Sequence, residues 1–131
     1  MGAVNFYYDG VTIDLLGLNN PKMALADRSN NSSKIKNHSA FETSVFLEQR
    51  PDLFISDLRI GTEINSREFI IHEKHRDMFQ NIYVDAKFLK SYKLVELRRK
   101  GSKLKMITFA SVNYLNNLNG QKFKIKEIDF E

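Results

Sequence analysis

The chain has 131 residues, 42% of them hydrophobic, and a formal net charge of +4. That is the length of one ordinary domain with enough apolar material for a core, which excludes a wholly disordered chain. It has no Cys, which excludes disulfides, thiolate zinc sites and a cysteine nucleophile, and no apolar run approaches the roughly 20 residues that span a bilayer.

Ala3 to Tyr8 and Val11 to Leu16 read as two strands separated by the turn dipeptide Asp9-Gly10. Asn20-Pro21 opens a short helix over Met23 to Arg28, with Asn20 as cap and Pro21 at the first helical position. A polar loop fills Ser29 to Asn37. Ser39 to Glu42 then fits a capping box, in which Ser39 caps and Glu42 reaches back, before a helix that runs to Gln49 with Phe41, Val45 and Phe46 inward. Pro51 ends that helix, and Asp52 to Ser56 reads as a strand.

Between Ser66 and Tyr83, helical spacing is moderate, at Phe69, Ile70, His72, Arg76 and Phe79. Tyr92 to Arg98 and Leu104 to Phe109 flank the loop Lys100-Gly101-Ser102-Lys103, a hairpin. Lys122, Lys124 and Lys126 alternate with Phe123 and Ile125, the period of a strand with one wet face. This order predicts an α/β domain: a mixed β-sheet with a few short helices packed on it, its C-terminal part mainly antiparallel.

Three groups of residues suggest chemistry. Asp14 stands late in an apolar strand, just before Gly17 and a helix start, where strand ends and helix N-termini converge on a crevice. Its carboxylate either accepts hydrogen bonds from sugar hydroxyls or orders the turn by taking backbone N–H groups. His72 and His75 stand at i, i+3, which is not the i, i+4 zinc spacing, so no metal site is expected. Charge is uneven: residues 84–131 hold eleven Lys/Arg against five Asp/Glu, whereas residues 1–83 hold nine against eleven. Arg98, Arg99, Lys100, Lys103 and Lys105, with Tyr92, make a basic hairpin, suited to nucleic acid or an anionic membrane surface, or simply a solvated, charge-protected strand edge.

Tyr7-Tyr8, Ile13-Asp14-Leu15-Leu16-Gly17-Leu18-Asn19-Asn20-Pro21, Ala24, His38 and Arg50-Pro51-Asp52-Leu53-Phe54-Ile55 occur in that order. The run resembles the C-terminal soluble domain of bacterial multi-span membrane glycosyltransferases that use polyprenyl-phosphate sugars, relatives of protein mannosyltransferases and arabinofuranosyltransferases. Asn20 stands where that pattern has an acidic residue and Asn37 where it has Gly; residues 57–131 carry no recognised motif.

The resemblance implies a fragment of a longer membrane protein, extracytoplasmic in its parent. The catalytic acidic residue would belong to the preceding membrane part, so this chain alone would not transfer sugar and would need no cofactor. It would cover the active site or position an acceptor glycan, with Tyr8, Asp14, Asn19, Asn20 and His38 as its ligand-facing residues. Its partners would be the transmembrane part of its own parent chain and a glycan acceptor or lipid-linked sugar, not nucleic acid. The competing expectations are a stand-alone module that binds a glycan or nucleic acid through the basic hairpin, and a small soluble enzyme built around Asp14 and His38, with a pocket where those two approach each other.

Overall fold

The computed structural model describes residues 21–25, 41–66, 69–118, 120 and 122–129. In chain order they form α1 (Pro21–Leu25), α2 (Thr43–Gln49), β1 (Leu53–Gly61), α3 (Glu73–Met78), a 3-10 turn (Ile82–Val84), α4 (Ala86–Ser91), β2 (Tyr92–Arg99), β3 (Lys105–Ser111), α5 (Val112–Asn117) and β4 (Phe123–Glu127). The described strands make one sheet in the order β1-β3-β2-β4, and each of its pairings is antiparallel. Short helices lie against this sheet, so the α/β class expected from the sequence is what the structure shows. The two strands and the turn expected within residues 3–16, and the loop over 29–37, lie outside the described residues.

Local chemistry sets the helix ends. α1 begins at Pro21 as expected, and α2 has Phe46 buried. The cap of α2 differs from the expected box. Glu42 itself is the cap, extended at φ −130°, and its carboxylate accepts from the Ser44 N–H at 3.3 Å and the Ser44 hydroxyl at 3.1 Å. Ser39 lies outside the described residues. Arg50 closes the helix in the left-handed region at φ 46°, its N–H donating to the Phe46 carbonyl. Pro51 follows, and a residue before proline avoids the helical region.

Among the described residues, the stretch with moderate helical spacing holds the six-residue α3 and the start of the 3-10 turn Ile82–Val84. Phe69 and Phe79 are buried, but Ile70 is 72% exposed. His72 starts the helix as its cap, and Gln80 and Asn81, both at positive φ, end it. The sequence reading missed α4 and α5. Asp85 caps α4 by accepting from the Lys87 and Phe88 N–H groups at 2.8 and 2.9 Å. Ser111 caps α5 by accepting from the Tyr114 N–H at 3.1 Å.

One sheet face carries an aromatic core. The Phe54 ring is fully buried and packs against Phe79 at 5.1 Å, Phe46 at 5.0 Å and Phe88 at 5.8 Å. Phe88 also stacks on Tyr92 at 4.9 Å. On the other face Val95, Leu97 and Ala110 are covered by Tyr114, Leu115 and Leu118 from α5 and the residue that follows it. The inner strands β2 and β3 are therefore buried on both faces for part of their length, which explains their runs of consecutive apolar residues.

β1 is longer than the expected strand and bulged. From Phe54 to Arg59 it advances five residues while β3 advances two, from Phe109 to Ile107. The buried Thr108 hydroxyl donates to the Phe54 carbonyl at 3.0 Å, bridging the place where the ladder is interrupted.

Candidate binding site

Of the sequence-derived candidates, Tyr8, Asp14, Asn19, Asn20 and His38 lie outside the described residues. Arg98, Arg99, Lys100, Lys103 and Lys105 lie on the β2–β3 hairpin, at the end of the sheet remote from α4 and α5. The turn is built as the sequence suggested. Gly101 takes φ +83°, a conformation other residues resist, and the Ser102 N–H donates to the Arg99 carbonyl at 3.0 Å.

The tertiary fold adds neighbours that the hairpin alone does not reveal. β4 pairs with the outer side of β2, and the Lys100 N–H donates to the Lys122 carbonyl at 2.9 Å. Residues directly opposite share a face. One row across the sheet therefore reads Gly61, Lys105, Arg98, Lys124. The next row on the same face reads Arg59, Ile107, Glu96, Lys126. Among the described residues, these two rows thus set five cations on one face with one carboxylate, Glu96, which lies 3.9 Å from the Lys105 ammonium.

Three of the five are engaged locally, Lys105 through that contact with Glu96. Arg59 sits over the Phe69 ring at 5.0 Å and donates to the Ile70 carbonyl at 3.1 Å, and Lys126 reaches the Ser66 hydroxyl at 3.4 Å. The row Lys105–Arg98–Lys124 nevertheless sets three cations side by side. Each lysine stands directly opposite Arg98, and like charges so placed destabilise a sheet by roughly 0.2–1 kcal/mol per pair. Alternating Lys residues in β4 were legible in the sequence; their registration against Arg98 was not.

A second feature is a cleft of about 730 Å³ at the other end of β2, lined by Arg50, Asp52, Lys87, Lys90, Tyr92 and Asn113, among others. Arg50 and Asp52 belong to the run that resembles the glycosyltransferases, and here they form the corner that turns α2 into β1. Tyr92 anchors that corner by donating its hydroxyl to the Pro51 carbonyl at 2.8 Å. Burial pushes its phenol well above the ordinary tyrosine range; the Asp52 carboxylate adds to the rise, and Arg50 opposes it. Lys87 and Lys90 come from α4, the helix that the sequence reading missed; Asp85 followed by a short apolar turn was its available signal.

The histidine pair has a structural job. His72 accepts from the Lys74 N–H through Nδ1 at 3.2 Å, and its ring lies 6.0 Å from that of His75. Among the described residues no group of three or more His, Asp or Glu side chains comes together as a metal site would require, and no helix is long and apolar enough to cross a membrane. Comparison with protein-family models, with characterised proteins and with solved structures gives no match to this chain.

Proposed function

We propose that this chain is a binding domain that engages an anionic partner through the basic end of its sheet. The observation behind it is the row Lys105–Arg98–Lys124. Three cations in adjacent positions on three strands raise the energy of the folded state by self-repulsion, which Glu96 beside Lys105 offsets only in part and an anion brought alongside offsets further. The test is retention on immobilised heparin, a soluble polyanion probe, at two salt concentrations. Retention should fall steeply with salt and should weaken in Arg98→Gln and Lys124→Gln. Binding indifferent to both salt and substitution would overturn the proposal.

A second reading sets this domain within a larger protein, as the accessory extracytoplasmic domain of a bacterial membrane glycosyltransferase that covers the active site or positions an acceptor glycan. It is supported by the order of residues from Tyr7 to Ile55 and by the Arg50–Pro51–Asp52 corner, whose two charged side chains line the cleft. This reading requires a gene encoding several hydrophobic spans upstream of this segment. Sequencing that region and finding none would end it.

A further inference from the structure

The cationic end of the sheet also exposes aliphatic side chains. The row between Lys105–Arg98–Lys124 and the Arg59 row faces the opposite side and reads Ile60, Met106, Leu97, Ile125. Leu97 is buried, but the outer members are open, Ile60 at 56% and Ile125 at 39% exposure. Leu104, where the chain leaves the turn, is 52% exposed. Arg99, Lys100, Lys103 and Lys122 are all exposed around them. A purely electrostatic surface for a soluble polyanion would gain nothing from these aliphatic groups. Aliphatic side chains within a rim of cations suit a lipid interface, where the cations meet headgroup phosphates and the aliphatics leave water at the acyl boundary. Long Lys and Arg stems let the charged heads stay at phosphate level while the backbone approaches.

We infer that the hairpin end of this sheet docks on the surface of an anionic lipid bilayer. Because the cationic and aliphatic rows lie on opposite faces of one sheet, the docking is end-on, with the turn at Gly101 foremost. Arg98, Lys105 and Lys124 meet headgroup phosphates from one side, and Ile60, Leu104 and Ile125 reach the acyl boundary from the other. This inference rests on the anion-binding reading and names its anion.

The experiment is cosedimentation with phosphatidylcholine vesicles, with and without phosphatidylglycerol, run beside heparin retention. Two double variants are used, each checked by circular dichroism for retained fold: Arg98→Gln with Lys124→Gln, and Leu104→Ser with Ile125→Ser. The protein should bind the phosphatidylglycerol vesicles and not the neutral ones. Each lost cation should lower vesicle affinity roughly 5-fold, and the serine pair should lower it on the order of 10-fold while heparin retention stays unchanged. Vesicle affinity untouched by the serine pair, or heparin retained with no vesicle binding, overturns the membrane inference and leaves the anion-binding reading standing. Failure on both probes overturns both.

Discussion

Arg98→Gln should make the protein more stable while weakening its hold on anions. Arg98 faces Lys105 on one side and Lys124 on the other, so its removal relieves two repulsions, together about 0.4–2 kcal/mol. It also gives up attraction to Glu96, two residues back on the same face, which returns about as much as one of those pairs. The net gain is about 0.2–1 kcal/mol, the size of one pair. In a domain of 131 residues this raises the melting temperature by roughly 1–4 °C. Scanning calorimetry or thermal circular dichroism at low ionic strength measures it. The gain should vanish near 1 M salt, where the Debye length falls to about 3 Å. Adding Lys124→Gln should give little further gain, because its repulsive neighbour is already neutral. A fall in melting temperature, or a gain of equal size in high salt, would refute the idea that these cations repel one another in the native sheet.

Two further outcomes test the framework beneath the site. Phe54→Ala removes a fully buried ring packed among Phe41, Phe46, Phe79 and Phe88, and urea denaturation should show a loss of about 3–5 kcal/mol, a large share of the stability of any domain this size. Tyr92→Phe deletes the bond to the Pro51 carbonyl and should cost about 0.5–1.5 kcal/mol at neutral pH. Burial, aided by Asp52, raises the Tyr92 phenol in the folded state, so the unfolded chain releases this proton first, near pH 10. The wild type therefore loses stability as pH rises above about 10 toward the raised folded value, the variant lacks that loss, and the gap between them in chemical denaturation should narrow there. A gap that stays constant would contradict this reading of Tyr92.

Much of the fold was legible because its signals are local. The hairpin around Gly101 needs one residue at positive φ between two apolar runs, and the sequence supplies it. Phe41 and Phe46 were recognisable as inward residues, and Arg50-Pro51 as a helix end, from spacing and proline sterics. α4 and α5 were not. Six residues show no apolar period, and each helix is held by a single capping side chain, Asp85 or Ser111, and by the sheet beneath it. The bulge of β1 was equally hidden, because its excess residues are defined only against β3.

The candidate site divides along the same line. The chain alone determined that its C-terminal half is basic, that the hairpin turn carries cations and that Lys residues alternate near the end. Those are properties of composition and of a two-residue period, which need no neighbour to be defined. Only the tertiary structure decided that β4 lies beside β2, which sets Lys124 and Lys105 on either side of Arg98 and brings Ile60 and Ile125 onto one opposite row. Register between strands distant in sequence depends on how they pack over a shared core, and a slip of one residue in β4 would have sent Lys124 and Ile125 each to the opposite face.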